Sequence, residues 1–332
     1  MITFSPMEQI RWGIIGPGKI AASFANDLQL VKDAVIAGVA SRNKERSEDF
    51  AKKFNVQHVF NSYDELFASD KVDVVYIATP HVFHKNLAIS AMNGGKHVLC
   101  EKPLGVNAQE VNEMINAAKK NNVFLMEALW SRFNPTIRKV KELANQNALG
   151  EITYVNADFA FYALDRAKES RLLNLDLAGG TLLDIGIYPV FLAYLFLGKP
   201  KVIRAVSNFN SLGTEIQTSI IFQYSNAQAI LNSAFTHNSG MSAEIAGTKG
   251  SAILAPRFHE TQGYTLQSAQ QSGSFELPTV GRGYYYEILE VHECLRQQRQ
   301  ESSLWSYTDS LNLISLLDDI RKITGIRFPF ET

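Results

Sequence analysis

Strands and helices alternate through the first 130 residues of this 332-residue chain, and no other feature limits its fold as strongly. Amphipathic helical patterns separate short apolar runs of strand length, which lie at 10–15, 34–40, 72–78, 97–100 and 123–128. The run at 72–78, VDVVYIA, is almost continuously apolar, as expected for a strand that is covered on both faces. This alternation predicts an α/β domain with a doubly wound parallel sheet.

The pattern changes after residue 130. Strand-like runs dominate from Ile152 onward, and helical patterns interrupt them near 182–197, 284–298 and 307–324. Strands with segregated helices predict an α+β domain, here with a large, mostly antiparallel open sheet. We therefore expect a first domain over residues 1–129 and a second over 130–332, and the last helix is a candidate to fold back on the first domain.

Composition and charge argue against several kinds of partner. The 32 basic and 33 acidic residues give a net charge of -1, so nothing favours binding to nucleic acid or to a membrane surface. The longest apolar run, Tyr188 to Leu197, is too short to span a bilayer, and the N-terminus does not resemble a signal peptide. The two cysteines, Cys100 and Cys294, have neither disulfide nor metal-ligand spacing, which favours a cytoplasmic protein without a metal site.

A glycine-rich turn, GPGKIA, directly follows the first strand and matches G-x-G-x-x-A. In this pattern the first glycine permits a tight turn, the second lets the backbone approach a pyrophosphate, and the small Ala21 lets helix and strand pack closely. The helix that begins here offers free N–H groups to an anion. Because the motif lies inside a βαβ unit, it predicts a dinucleotide site in a Rossmann fold rather than an isolated turn. We expect the phosphate cradle to consist of Gly16, Pro17, Gly18, Lys19 and Ile20.

The end of the second strand indicates which dinucleotide binds. An NAD-specific fold usually carries Asp or Glu here, whereas this chain has Ser41 and Arg42, with Arg46 one helical turn later. A hydroxyl and a guanidinium can bind a 2′-phosphate, so we favour NADP. The alternative is that both arginines are solvated surface charges.

Polar residues follow the predicted strands at 72–78 and 97–100, at the edge where ligands of open α/β sheets bind. Pro103 restricts Lys102 to an extended backbone, so its amine is expected to point into the crevice beyond the sheet, where it could exchange a proton with a reacting oxygen. The Lys102–Pro103 bond is also a candidate for a cis peptide. The alternative is an ordinary surface lysine. The residues expected at this edge are Thr79, Pro80, His81, His84, Glu101 and Lys102.

Several motifs resemble one oxidoreductase family. GIIGPGKIA, EKP and GGTLLDIGIYPV are similar to the glucose–fructose oxidoreductase, inositol dehydrogenase and rhizopine-catabolism (Gfo/Idh/MocA) family. GKHVLCEKPLGVNAQEV, FLMEALWSRFNP and AGTKG resemble its dihydrodiol dehydrogenase branch, which includes NADP-linked D-xylose 1-dehydrogenases. The similarity runs from Arg11 to Phe330. It implies that Lys102 is the central catalytic group beside the nicotinamide.

The second domain contributes further candidates. Asp184 and Tyr188 are four residues apart and would share a helix face, while Pro189 would kink that helix or begin a new turn. The resemblance implies that Tyr188 shares a proton with Lys102 and that Trp130 and Arg132 contact cofactor or substrate. From the residues alone, Tyr188 could be a core aromatic and Asp184 a helix-start charge. Trp130 and Arg132 could equally be an interface tryptophan and a salt-bridged arginine.

The expected function is an NADP-dependent oxidoreductase that moves hydride between nicotinamide and a CH–OH carbon of a sugar, polyol or cyclic trans-dihydrodiol. One alternative is a non-enzymatic, dinucleotide-sensing regulator, against which the presence of Lys102, Asp184 and Tyr188 argues. A second is an enzyme with permanently bound cofactor. We also expect a homodimer, because strand 216–222 carries apolar residues toward a face that the helices are too few to cover, and because the similar branch is dimeric through this sheet.

Overall fold

The computed structural model describes residues 9–269 and 271–331, which form two compact units. The first unit contains residues 9–105, 109–130 and 280–310. The second contains 106–108, 131–279 without residue 270, and 311–331. We predicted a single boundary between residues 129 and 130, whereas in the structure the chain returns to the first unit at residue 280. The segment that returns carries the penultimate helix, whereas the last helix lies mostly in the second unit.

The first unit is built on a six-stranded parallel sheet of order β3-β2-β1-β4-β5-β6, which confirms the predicted doubly wound fold. Its strands are β1 Ile10–Ile15, β2 Ala34–Ala40, β3 His58–Phe60, β4 Val74–Ile77, β5 His97–Glu101 and β6 Leu125–Ala128. The helices among them are α1 Lys19–Leu28, α2 Lys44–Phe54, α3 Tyr63–Ala68, α4 His84–Asn93 and α5 Ala108–Asn121. All residues of β4 are buried, as the nearly continuous apolar run predicted. The three-residue edge strand β3 was not predicted.

The returning segment, 280–310, is bonded to the first unit through buried polar groups. The carboxylate of Asp27, at the end of α1, accepts hydrogen bonds from the backbone N–H groups of Arg282, Gly283 and Tyr285. Helix α8, Tyr285–Arg296, follows directly. Its residue His292 accepts a hydrogen bond from the indole N–H of Trp12, at 3.0 Å. Because one nitrogen of this ring accepts, the other carries the proton and donates to Asp33, 3.1 Å away.

The second unit contains an eight-stranded sheet of order β14-β13-β12-β11-β7-β10-β9-β8. Its strands are β7 Ile152–Ala160, β8 Val202–Phe209, β9 Glu215–Gln223, β10 Gln228–Ala234, β11 Ala243–Gly247, β12 Gly250–Leu254, β13 Gly263–Ser268 and β14 Ser272–Glu276. Only the pairing of β7 with β10 is parallel among these strands, so the predicted mostly antiparallel sheet is confirmed. The helices are α6 Pro135–Asn145, α7 Ile187–Leu197 and α9 Tyr307–Thr324.

Helix α7 packs on β7 and belongs to an unusually apolar stretch of the chain. The segment Leu175–Leu197 has a mean hydropathy of 1.7 and is long and apolar enough to cross a membrane, but 78% of it is buried inside the fold. A core helix of a folded domain has the same properties, so the stretch is weak evidence for membrane insertion. The cytoplasmic location stays a prediction.

The start of this helix is irregular. Residues Leu182–Gly186 form a π-helical turn, and regular α-helix begins at Ile187. Pro189 lies two residues beyond the start of α7, and because the helical π turn directly precedes it, its missing N–H interrupts the hydrogen bonds of the helix and does not fall at a free helix end. A new turn that starts just after Tyr188 is not what the structure has, because α7 begins at Ile187 and continues directly from the π turn, which was not predicted. Such π turns occur frequently at functional sites.

Candidate active site

The glycine-rich turn after β1 has the geometry of a phosphate cradle. Gly16 has a φ of +75°, and an added Cβ there would lie 2.8 Å from the carbonyl oxygen of Ala78. A Cβ on Gly18 would meet nothing closer than 3.9 Å, so the side of the turn over this residue is open. Gly18 is the N-cap of α1, and no side chain caps the first N–H groups of that helix. The residues of this turn thus fit a dinucleotide pyrophosphate.

Two further observations at this turn agree with that fit. Lys19 and Ile20 are exposed, and Ile20 keeps 41% of its surface accessible although it is apolar. The hydroxyl of Thr79, at the carboxyl end of β4, is buried and has no hydrogen-bond partner among the described residues. A buried hydroxyl without a partner is unusual, and a ligand group would satisfy it.

The end of β2 presents cations to solvent. Arg42 and Arg46 are exposed, and the guanidinium of Arg42 lies 4.9 Å from the ring centroid of Phe83. The hydroxyl of Ser41 accepts a hydrogen bond from the N–H of Asn43, which is the N-cap of α2. Phe83 was not predicted as a site residue. The sequence could have indicated Phe83, because it lies between His81 and His84, which were both candidates.

His84 joins the two strand ends that were predicted to flank the cofactor. Its ring is fully buried, with Nδ1 2.9 Å from the carbonyl oxygen of Pro103 and Nε2 2.8 Å from that of Thr79. Burial lowers the pKa of His84, and the nearby Lys102 lowers it further. The neutral ring carries one N–H, so it donates to only one of these two carbonyl oxygens while it packs between the two backbones. His81, also buried, lies with its ring centroid 5.8 Å from that of His84. A direct contact of either histidine with cofactor stays a prediction.

The loop that carries Lys102 is fixed by two acids, the half-buried Glu101 and the buried Glu127. The Lys102–Pro103 peptide bond is cis, as expected. Glu101 accepts hydrogen bonds from the backbone N–H of Lys102, at 3.2 Å, and from the hydroxyl of Tyr76, at 2.5 Å. Burial, and then the charge of Glu101, raises the pKa of Tyr76 well above its ordinary value, so this phenol remains a donor.

A second acid, Glu127, lies below the same loop. Its carboxylate accepts the backbone N–H of Leu104 at 3.0 Å, the indole N–H of Trp305 at 3.1 Å and the hydroxyl of Ser310 at 2.7 Å. Burial raises the pKa of Glu127, while these donors and Lys102 oppose that increase. Leu104 is two residues beyond Lys102, so Glu127 restrains the backbone that carries the amine. The sequence signal was an acid inside the buried strand FLMEA.

In the second unit, Asp184 and Tyr188 are both buried, with 4% and 6% of their surface accessible. Asp184 accepts a hydrogen bond from Arg171 at 2.8 Å. The ring of Tyr188 lies among aromatic residues, with its centroid 5.7 Å from Phe159 and 5.2 Å from His259. The phenol thus has an apolar wall on one side and an aspartate–arginine pair on the preceding turn. Sequence reasoning missed Arg171, Phe159 and His259, because they are distant in the chain from Tyr188.

Trp130 and Arg132 lie on one short 3-10 turn, Trp130–Phe133. The Trp130 ring stacks on Tyr284 with centroids 4.5 Å apart, inside the first unit, and 7% of its surface is accessible. Arg132 belongs to the second unit and helps to lower the pKa of Lys141, whose burial is the larger cause. A contact of either residue with cofactor or substrate stays a prediction. Among the described residues, no group of three or more His, Cys, Asp or Glu side chains is arranged to hold a metal ion.

The fold and the cradle define an NAD(P)-binding oxidoreductase. Residues 10–129 match the family described as "Oxidoreductase family, NAD-binding Rossmann fold", and residues 137–253 match the "GFO/IDH/MocA C-terminal domain". The chain belongs to the GFO/IDH/MocA oxidoreductase family, which confirms the resemblance seen in its motifs.

Known relatives resemble nearly the whole chain. It is 36% identical over 333 residues to trans-1,2-dihydrobenzene-1,2-diol dehydrogenase of Mus musculus, covering 96% of this chain and 98% of the relative. The Homo sapiens protein of the same name is 34% identical, with the same coverage.

Solved structures agree with these relatives. A 3-ketoreductase from Actinomadura kijaniata, in complex with NADP and TDP-benzene, superposes with a TM-score of 0.85 at 25% identity, covering 95% of this chain and 98% of that one. An aldose-aldose oxidoreductase from Caulobacter crescentus gives a TM-score of 0.87 at 24% identity, covering 96% and 98%, and supports the fold alone.

Proposed function

We propose that this protein is an NADP(H)-dependent dehydrogenase that transfers hydride between nicotinamide and a CH–OH carbon of a sugar, a polyol or a cyclic trans-dihydrodiol. The observation that carries the proposal is the restraint of the loop around Lys102 at the carboxyl edge of the sheet. Glu101, Glu127 and His84 hold the backbone on both sides of the lysine by hydrogen bonds. So many hydrogen bonds to the backbone beside one lysine are more than an ordinary surface lysine requires.

Each residue then has a defined task. The bound nicotinamide cofactor supplies the hydride chemistry. Lys102 binds the substrate oxygen and takes its proton when the alcohol is oxidised, or returns it when the carbonyl is reduced. Tyr188 shares this proton, and Asp184 with Arg171 orients the turn from which Tyr188 projects. The aromatic residues beside Tyr188, Phe159 and His259, suit the apolar face of a cyclic substrate.

A substrate panel tests the activity. Aldoses, inositols and trans-dihydrodiols are offered with NADP⁺, and reduced-cofactor absorbance is followed. Lys102→Met should lose most turnover and keep cofactor affinity, because the thioether fills the volume without exchanging a proton. Lys71→Met is the control, since this exposed lysine precedes β4 at the opposite edge of the sheet. Turnover of Lys102→Met near that of wild type would overturn the assignment. Cofactor binding without turnover of any substrate would favour the regulator, and nicotinamide absorbance in the purified protein would favour permanently bound cofactor.

The preference for NADP rests on the end of β2. Arg42 is exposed and stacked on Phe83, and Ser41 offers a hydroxyl beside it. A charge-assisted hydrogen bond is worth about 1.5–3 kcal/mol, so loss of one corresponds to about tenfold or more in Kd. Arg42→Ala should therefore weaken NADP binding by about tenfold and change NAD binding little. Lys52→Ala, at the other end of α2, should change neither. Equal wild-type affinity for both cofactors, or a preference for NAD, would contradict this proposal.

A homodimer through the sheet of the second unit is also proposed. The alternate apolar residues of strand 216–222 do not lie on an uncovered face as expected, since Ile220 and Phe222 are buried, with 2% and 0% of their surface accessible. The other face of the sheet exposes aliphatic side chains, with 67% of Val206, 43% of Ile221 and 43% of Ile230 accessible, and Ile221 is paired with Ile230 across β9 and β10. Ile221→Lys should convert a dimer into a monomer in light scattering at micromolar concentration. Val280→Lys changes a valine of equal exposure, 43%, in the first unit and should leave the dimer intact. A monomeric wild type would refute the proposal.

A further inference from the structure

A buried acid, Glu215, lies at the start of β9 and contacts the helix that carries Asp184 and Tyr188. Only 1% of its surface is accessible. One carboxylate oxygen accepts hydrogen bonds from the hydroxyls of Thr181, at 2.5 Å, and Thr218, at 2.7 Å. The other accepts the backbone N–H of Leu182 at 2.9 Å, and the N–H of Thr181 also bonds to the carboxylate. Burial raises the pKa of Glu215, while the hydrogen bonds from these hydroxyls and N–H groups oppose that increase and favour the carboxylate.

The start of the helix has no other cap. Thr181, which occupies the N-cap position, makes no capping hydrogen bond with its side chain. Gly180 precedes it with a φ of +133°, and a Cβ on this glycine would lie 3.0 Å from a Glu215 oxygen. The chain therefore approaches the carboxylate so closely that only glycine fits there. Glu215 thus replaces the local cap by a charge from a neighbouring strand, where the helix dipole favours an anion.

The Glu215 carboxylate caps the π-helical turn Leu182–Gly186, so its position affects the residues of that turn. Leu182 begins that turn, Asp184 lies two residues further on, and Tyr188 follows in the first turn of α7. Ser233 contacts the other end of the turn, since a Cβ on Gly186 would lie 2.9 Å from its hydroxyl. The same Ser233 hydroxyl is 2.8 Å from that of Thr181. The widened turn is therefore held at both ends by β9 and β10.

We propose that Glu215 is a positioning residue for the reaction: its carboxylate fixes the first N–H groups of the π turn and thereby sets where Asp184 and Tyr188 stand. Its effect on activity rests on the proposed function; its effect on the turn does not. An error of about 1 Å in a reacting group can cost about a hundredfold in rate, so a loosened turn should lower kcat. Cofactor affinity should not change, because the phosphate cradle belongs to the first unit.

Three variants test the role. Glu215→Gln keeps the volume but removes the charge and one of the two accepting oxygens, Glu215→Asp keeps the charge, and Ser207→Ala is the matched control. Ser207 bonds to Thr218 at 2.7 Å, in the same hydroxyl network, but does not reach the helix. For substrates that wild type turns over, kcat should fall by about tenfold or more in Glu215→Gln and by less in Glu215→Asp. It should not change in Ser207→Ala, and the Kd for NADPH should stay within about twofold in all three.

Hydrogen exchange separates this proposal from the proposed function. Amides 181–188 should exchange faster in Glu215→Gln than in wild type, while those of 190–197 should not, and this holds whether or not any substrate is found. If Glu215→Gln does not fold, Glu215→Asp and the protection of amides 181 and 182 in wild type carry the test. The proposal is overturned by unchanged exchange at 181–188, by rapid wild-type exchange at 181 and 182, or by a Glu215→Gln kcat within about twofold of an active wild type. It is likewise overturned if Ser207→Ala lowers kcat as much as Glu215→Gln does.

Discussion

Acid should destabilise the first unit through His292. This ring is fully buried on α8, accepting from the Trp12 indole and donating to Asp33. A second ring proton would have to point at the indole N–H, which is itself a donor. Burial accordingly lowers the pKa of His292 from 6.5 to about 4. Between these two pH values the unfolded chain binds a proton that the folded chain excludes, so the free energy of unfolding falls as the pH falls.

The size of the effect follows from the same two values. The pKa of the folded state is about 4 and that of the unfolded state 6.5. A difference of one in pKa corresponds to about 1.4 kcal/mol, so the whole interval is worth about 3 kcal/mol. Most of this loss occurs between pH 6.5 and pH 4.5, and at pH 8 the contribution of the ring is constant.

Urea unfolding followed by tryptophan fluorescence measures it, because all three tryptophans, Trp12, Trp130 and Trp305, lie in the first unit. His292→Gln should be less stable than wild type at pH 8, but should lose about 3 kcal/mol less on acidification. His237→Gln replaces an exposed imidazole of the second unit and should retain the wild-type slope. If wild type and His292→Gln lose the same free energy between pH 8 and pH 4.5, the assigned hydrogen-bond pattern of the ring is wrong.

Two buried acids, Glu287 and Glu127, give stability predictions of opposite sign when each is replaced by glutamine. Glu287 is fully buried, its two oxygens have no hydrogen-bond partner in the described part of the chain, and burial followed by the charge of Glu101 raises its pKa well above 4.5. Since the folded chain then keeps a proton that the unfolded chain releases, the free energy of unfolding falls as the pH rises above 4.5. In thermal unfolding, Glu287→Gln should therefore be more stable than wild type by about 1 kcal/mol or more at pH 8 and equally stable below pH 4.5. A variant that is less stable than wild type at pH 8 would contradict this. Glu127→Gln should lose about 1–3 kcal/mol in urea unfolding, because its NH₂ group replaces one of the two accepting oxygens and leaves either the N–H of Leu104 or the indole N–H of Trp305 without an acceptor; a loss under about 0.5 kcal/mol would show that these bonds do not restrain the loop.

Local patterns in the sequence predicted the features that depend on neighbours in the chain. Five of the six parallel strands were visible as apolar runs, and the turn at Gly16 was visible as a motif with a defined backbone requirement. Helix α6 was missed although Asn134 caps it and Pro135 begins it, a pattern that indicates a helix start. Strands β13 and β14 were missed because their residues are mostly polar or small.

The candidate site was predictable where it follows a strand end and not where it depends on distant contacts. Lys102 could be recognised because its position after β5 is itself the signal. Glu215 and Arg171 could not, since their role depends on which residues the fold brings to the turn of Asp184. Glu127 was predictable in part: an acid within an apolar strand indicates that the side chain is buried and hydrogen-bonded, but the sequence does not show which residues bond to it.

The return of the chain at residue 280 affects how the protein is made. A ribosome delivers the strands of the parallel sheet early, but the partners of Trp12 and Asp27 emerge only with α8. Until then the nascent sheet has an indole N–H and a carboxylate without their native bonds, and the whole second-unit sheet must be synthesised in between. The native bonds of Trp12 and Asp27 can therefore form only after β14 has been synthesised, and a fragment that ends at residue 130 lacks their partners.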